Sequence, residues 1–373
     1  MAETGPDGAM RMMDEFRAAG AVEALRAAIA AAVPRPVKLM EVCGTHTMAI
    51  ARAGLRGLLP QEITLLSGPG CPVCVTAQGE IDAFLALGER PNVVLTCFGD
   101  MMRVPGSAGS LEQMRARGTE ARVVYSPMDA LVLAIEQPSK EVVFFGVGFE
   151  TTVPTVAATL KEASRRGVRN FSVLAAHKTI PGALAALASA PDLAVDGFLL
   201  PGHVSVILGE APYRFLAEEH GVACAIAGFE ATDILDGIRA LVEQIRDARP
   251  TVANRYHRAV RSEGNPTARA LVDSVFAPVD ATWRGIGLIP GTGLAIREEY
   301  APWDARARFA DLDWERFANV PEPRGCRCGE ILKGALTPRD CPLFGRACTP
   351  ARPVGPCMVS SEGTCAAYYR YQL

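Results

Sequence analysis

Two features of the chain place soft, redox-active side chains at defined spacings. Cys71 and Cys74 stand two residues apart in the run SGPGCPVC (67–74), and Cys326, Cys328, Cys341, Cys348, Cys357 and Cys365 crowd the C-terminal stretch. A C-x-x-C pair can cycle between dithiol and disulfide, ligate metal, or fill space at a tight turn. Placed ahead of the helix-like run VTAQGEIDAFLAL, it gains thiolate character from the positive end of the helix dipole, which favours the redox use. The tail has none of the paired C-x-x-C hairpins that structural zinc prefers. Its C-x-C and widely spaced single cysteines suit an iron–sulfur cluster better than zinc or disulfides. Four thiolates complete a [4Fe–4S] cube, so two of the six tail cysteines are spectators or redox partners, and spacing does not select them.

Other polar residues sit in glycine-bracketed runs. In EVCGTHT, Cys43 and His46 follow an apolar run, and Gly44 lets the backbone turn there. Such a pair serves as nucleophile and base, as metal ligands, or as a buried thiol beside a hydrogen-bonded imidazole, and the local pattern favours the last. Cys97 and Cys224 lie inside apolar strand patterns and read as core. GVGFETT (146–152) follows a strand as a dinucleotide loop would, but Thr151 stands where the third glycine of G-x-G-x-x-G belongs. With no phosphate-binding G-x-x-x-x-G-K-[ST] either, a nucleotide site is weakly supported. His177 and Lys178 in AHKTIPG and His203 in PGHVSVILG complete the set.

The elements that must position these groups alternate regularly. Residues 11–33 read as one or two Ala-rich helices ending at Pro34. Eight short apolar runs follow, at 37–42, 63–67, 92–97, 121–126, 141–147, 171–176, 196–201 and 222–228, separated by stretches long enough for crossover helices, the pattern of parallel α/β sheets. The fold class expected is α/β: two parallel-sheet domains of similar plan plus a small Cys-rich C-terminal module. Residues 1–134 form the N-terminal helix and first domain with CGTHT and CPVC. Residues 135–250 form the second, with GFETT, AHKTIPG and PGHVS, and residues 251–373 form the C-terminal region. In open α/β sheets the working groups sit beyond the carboxyl ends of strands, where every one of these motifs falls. After residue 229 come a helix (ATDILDGIRALVEQIRDA), a polar helical stretch near RYHRAV and an extended segment WRGIGLIPGTGLAI. The tail beyond Gly325 has too little apolar periodicity to hold itself together without a metal or disulfide staple.

Composition narrows the function classes. The 373 residues carry a net charge of -3 with 49% hydrophobic and 21% charged residues, so no basic surplus marks a nucleic-acid footprint. MAETGPDGAMRMMDEF is polar and acidic where a secretory signal is basic then apolar, and no uncharged apolar run reaches the roughly 18 residues of a membrane span. The expectation is a cytoplasmic protein without membrane or nucleic-acid partners. There, eleven cysteines point to ligands and redox groups more than to structural disulfides.

Taken together, MEVCGTHT, SGPGCPVC, FGVGFETT, AAHKTIPGAL, LPGHVSVILG and the tail CRCGEILKG…CPLFG…CTP…CMVSSEGTCAA closely resemble the HypD family of hydrogenase maturation proteins, in one motif order from about Leu39 to Tyr371. The resemblance implies a scaffold for assembling the Fe(CN)2CO moiety of [NiFe]-hydrogenases, working with a HypC-type small chaperone and a HypE-type cyanide donor. It implies that Cys43 ligates the iron under construction and that Cys71 and Cys74 are a thiol redox pair. His46 is carried as a neighbouring or transient ligand. The tail is implied to hold a [4Fe–4S] cluster through Cys328, Cys341, Cys348 and Cys365, with Cys326 and Cys357 as alternatives. Such a protein is an assembly scaffold with thiol redox and electron-transfer activity more than a turnover enzyme. The competing reading is a stand-alone iron–sulfur thiol–disulfide oxidoreductase of the ferredoxin:thioredoxin reductase type, which has no use for CGTHT.

Overall fold

All eight apolar runs form strands. The computed structural model describes residues 19–190 and 195–372, and in it β1 (Val37–Glu41), β2 (Ile63–Ser67), β3 (Val93–Cys97), β4 (Ala121–Val123), β5 (Glu141–Gly146), β6 (Phe171–Ala175), β7 (Gly197–Pro201) and β8 (Ala223–Ala227) lie within a few residues of the expected limits. Each pairs with its neighbours in parallel. β3, β7 and β8 are buried at every position, as strands covered by helices on both faces must be. Cys97 and Cys224, in β3 and β8, are fully buried core residues.

The strands group differently from the consecutive division at residue 134. One sheet runs β2-β1-β7-β8-β9, with a short added strand β9 (Val252–Asn254), and the other runs β4-β3-β5-β6. The chain therefore lays down two strands of the first sheet, builds the whole second sheet, and returns to finish the first. Parallel neighbours need a long crossover in any case, so the spacing between strands is the same whether the next strand joins the same sheet or another. The consequence is functional: PGHVS, after β7, shares a sheet with CGTHT and GPGC, while the turn Gly99–Arg103 after β3, GFETT and AHKT edge the other.

Two segments carry the chain between the sheets, one after β2 containing CPVC and one after β6 containing AHKTIPG. They are tied together by Lys178, a buried ammonium whose Nζ lies 2.9 Å from both carboxylate oxygens of Glu80. An antiparallel hairpin, β10 (Phe276–Trp283) and β11 (Gly287–Ile296), clamps the same two segments. Arg284 N donates to Val75 O and Thr179 N to Thr292 O, each at 2.9 Å. The fully buried Trp283 donates from Nε1 to Thr292 Oγ1 at 2.8 Å, which locks the hairpin internally.

The helix Ala19–Ala32 covers the far face of the first sheet together with Ala231–Arg246, and the part of the expected N-terminal helix at 11–18 lies outside the described residues. The stretch RYHRAV is a turn and not a helix: Asn254 Nδ2 donates to Val260 O at 2.9 Å and closes it, and the next helix, Pro266–Val275, starts only at its Asn265 cap. The tail folds as short helices Cys328–Leu332, Pro356–Val359 and Thr364–Tyr371. As expected it has no separate core; Ile331, Leu332 and Met358 pack in one apolar cluster with Met40, Phe198 and Trp283. No described helix is long and apolar enough to cross a membrane.

Candidate functional site

CGTHT and GPGC meet through their backbones. Gly44 N donates to Gly70 O at 3.0 Å. A Cβ added to Gly70 would lie 2.1 Å from Cys43 N, so only glycine allows the two loops this approach. Cys43 is the N-cap of the helix Gly44–Arg52 and is buried. Burial pushes its thiol up to about 11, against the pull of the His46 backbone amide and with the Glu362 carboxylate adding to the rise. At neutral pH it is a protonated thiol, and a metal that replaces the proton would be needed to make it a thiolate ligand.

Cys71 and Cys74 are joined as a disulfide and both are buried. The pair does not open the long helix, as the sequence suggested. It occupies its own single turn, Pro72–Val75, and the longer helix begins at Gln78. The chain breaks there because Thr76 is drawn into a bridge with Trp283 of the hairpin. Helix-dipole activation of Cys71 is correspondingly limited to one turn, and its sulfur accepts from Cys74 N at 3.1 Å.

All six tail cysteines line one small pocket, together with Ile331, Leu343, Phe344 and Met358. Cys326 and Cys357 thus stand beside the four expected ligands. Five of the six are buried, and the sulfurs of Cys328 and Cys357 lie 2.7 Å apart. Hydrogen bonds among Cys326, Cys328 and Cys357 come first among the influences on these thiols, burial next, and all three are held above the ordinary thiol range. Among the described residues no three donors converge on one point as a single metal ion requires. Sulfurs spread around an apolar cavity are instead the donor set that a polynuclear cluster takes, and in that respect these residues fit one.

The tail loop Val359–Gly363 joins the three thiol centres, and no spacing rule marked it. Ser360 Oγ lies 3.3 Å from Cys71 Sγ. Two residues on, Glu362 Oε1 accepts from Thr45 Oγ1 at 2.5 Å, and a Cβ on Gly44 would lie 2.5 Å from Glu362 Cβ. Gly363 packs against the carbonyl of Cys357 with no room for a side chain. Asp100, from the loop after β3, fixes the segment by accepting from Ser361 N at 2.8 Å and Ser361 Oγ at 2.9 Å.

His46 is fully buried, and burial lowers it to about 4, so its ring is neutral. Its Nε2 lies 2.8 Å from Gly228 O, which makes that nitrogen the donor and leaves Nδ1 an acceptor with no hydrogen-bond partner. Phe229 lies between His46, at 4.8 Å between ring centroids, and the exposed ring of His203, at 4.0 Å. The expected shared rim therefore gathers CGTHT, GPGC and PGHVS. GFETT and AHKTIPG lie at the other crossing, where Glu150 accepts from Ile180 N at 2.8 Å. His177 is buried there with both ring nitrogens unpartnered and is lowered to about 3 by burial.

Two parallel sheets bridged by a disulfide-bearing crossing and capped by a tail whose cysteines surround one cavity define a thiol-centred α/β protein. Residues 20–372 match the HypD family model, described as the hydrogenase formation hypA family. The chain is 46% identical to the hydrogenase maturation factor HypD2 of Bradyrhizobium diazoefficiens and 45% identical to the maturation factor HypD of Escherichia coli K12. Against HypD of Rhodobacter capsulatus the identity is 43%. These matches cover 97% of this chain and 97 to 98% of each relative. The chain belongs to the HypD family of hydrogenase maturation factors.

Proposed function

We propose that the chain is the scaffold on which the Fe(CN)2CO unit of [NiFe]-hydrogenase is assembled, with a HypC-type chaperone and a HypE-type cyanide donor as partners. Cys43 presents the incoming iron, which is the cargo and not a resident cofactor, and a soft thiolate suits low-spin iron with strong-field diatomic ligands. His46, neutral and with Nδ1 unpartnered, takes a proton or steadies the site. Cys328, Cys341, Cys348 and Cys365 hold a [4Fe–4S] cluster that supplies electrons one at a time. Opening the Cys71–Cys74 bond consumes two electrons and two protons and yields two thiols, so it draws twice on an external one-electron reductant.

The observation that carries this reading is the loop Val359–Gly363, which touches Cys71 through Ser360 and the CGTHT loop through Glu362 while leaving the cysteine cavity at Cys357. A stand-alone thiol reductase would present its disulfide to a partner; here Cys71 is 3% and Cys74 0% exposed, which favours internal exchange.

Anaerobic purification with the small chaperone tests the reading. The protein should contain about four iron atoms with matching labile sulfide, plus the sulfide-free cargo iron that gives the CO and CN infrared bands. Cys71→Ala and Cys74→Ala should keep the iron–sulfur spectrum and lose those bands. Stoichiometric zinc in a colourless protein would refute the cluster, and loss of the cluster in either variant would make Cys71 and Cys74 its ligands.

A further inference from the structure

Arg284 is a cation buried without a counter-ion. It sits at the turn of the β10–β11 hairpin and is 1% exposed, and no carboxylate pairs with it among the described residues. Nε donates to Thr76 O and Nη2 to Gln78 Oε1, each at 2.9 Å, and both acceptors are neutral. Nη1 is buried and has no hydrogen-bond partner. An isolated guanidinium in the interior is strongly unfavourable unless negative charge is placed nearby.

The surroundings identify where that charge belongs. The residue after Arg284, Gly285, has a φ of +70°, and a Cβ there would lie 2.0 Å from the Cα of Gly329, next to Cys328. The hairpin turn is thus pressed onto the wall of the cysteine cavity. On its other side Arg284 N donates to Val75 O, one residue beyond Cys74. The hairpin turn therefore touches the chain beside Cys328 through Gly285 and the segment that carries the disulfide through Arg284, whose guanidinium is hydrogen-bonded to that segment.

We propose that Arg284 is the counter-charge of the anionic centre held by the tail cysteines and sets the potential at which that centre exchanges electrons with Cys71–Cys74. The inference rests on the reading that the tail holds a [4Fe–4S] cluster. With four thiolates such a cluster is a dianion when oxidised and a trianion when reduced. A fixed positive charge nearby stabilises the trianion more than the dianion. Arg284 is a positioning and tuning residue; no bond to it is made or broken.

Two variants test this in the loaded, full-length protein by potentiometric titration followed by electron paramagnetic resonance. Arg284→Gln removes the charge. Gln78→Glu leaves Arg284 in place and sets a carboxylate against its Nη2, so the measurement stands even where Arg284→Gln accumulates poorly. Both should favour the oxidised centre at least tenfold at a given potential, a fall of about 59 mV for a one-electron couple. Arg284→Lys, which keeps the charge and loses the fork, should shift less than half as far. Loaded variants within twofold of the parent protein would overturn the role of Arg284 and leave the cluster reading intact. A parent protein without iron and labile sulfide would overturn both.

Discussion

Glu150 of GFETT offers a quantitative test of the crossing between the sheets. Its carboxyl is fully buried; Oε1 accepts from Ile180 N at 2.8 Å, Oε2 has no partner, and burial raises it from 4.5 to about 7. The shift of 7 minus 4.5 is 2.5, which at about 1.36 kcal/mol per unit corresponds to roughly 3 kcal/mol. The raised value fixes the sign. Below pH 4.5 folded and unfolded chains are both protonated. As pH rises toward 7 the unfolded chain releases its proton first, so stability falls, and above 7 the loss is complete. Glu150→Gln keeps the Oε1 acceptor for Ile180 and cannot ionise, so it should not lose this stability. At pH 5.5 roughly 1 kcal/mol of the loss has already occurred, which leaves about 2 kcal/mol to develop by pH 8. For 373 residues at about 2.1 cal/mol/K each, the unfolding entropy is roughly 0.8 kcal/mol/K, so the melting temperature of the variant minus that of the parent should grow by about 2 to 3 °C between pH 5.5 and 8. Thermal melts by circular dichroism measure this directly, and any constant packing penalty cancels. A difference that stays flat or shrinks with rising pH would show that Glu150 ionises freely in the folded chain and would refute the burial argument.

The remaining predictions concern the thiol loops. With its thiol pushed up to about 11, Cys43 should alkylate slowly at neutral pH, with a rate that rises about tenfold per pH unit well past pH 9, followed by mass spectrometry of the iodoacetamide adduct; a plateau by pH 9 would contradict its burial. Cys43→Ser should fold and keep any tail centre yet lose the CO and CN infrared bands, and full-intensity bands would remove Cys43 as the iron ligand. Gly70→Ala forces a Cβ to 2.1 Å from Cys43 N where real contacts stay above 3.0 Å, so the loops must part by about 0.9 Å (3.0 minus 2.1), at an overpacking cost of about 1–3 kcal/mol. Gly57→Ala, with nothing within 4 Å of its new Cβ, is the neutral control in the same melt.

The position of Arg284 shows how a buried unpaired charge escapes a sequence reading. It lies in WRGIGLIPGTGLAI, an apolar run in which one arginine is unremarked, and it becomes informative only when burial and the lack of a carboxylate partner are known. Ser360 and Glu362 were quoted within the tail motif, yet their contacts to Cys71 and Thr45 span 289 and 317 residues of chain. No local periodicity reports such contacts. The helix near RYHRAV was misplaced for a related reason: the polar pattern permits a helix, and a hydrogen bond from Asn254 closes a turn instead.

The sequence by itself determined the local structure and the chemical inventory. β-branched runs form strands wherever they lie, glycines bracket the loops, and cysteines at C-x-x-C and tail spacings declare soft-donor or redox chemistry through residue type alone. Only the tertiary structure decided which strands share a sheet, because parallel crossovers look alike whether the chain stays in one sheet or leaves it. From that interleaving followed the rest: PGHVS joined CGTHT and GPGC, the disulfide fell on a crossing between the sheets, and the tail, lacking a core of its own, folded against the first sheet. That docking brought its six thiols to one pocket, since apolar burial is collective and acts only across surfaces that the whole fold brings together.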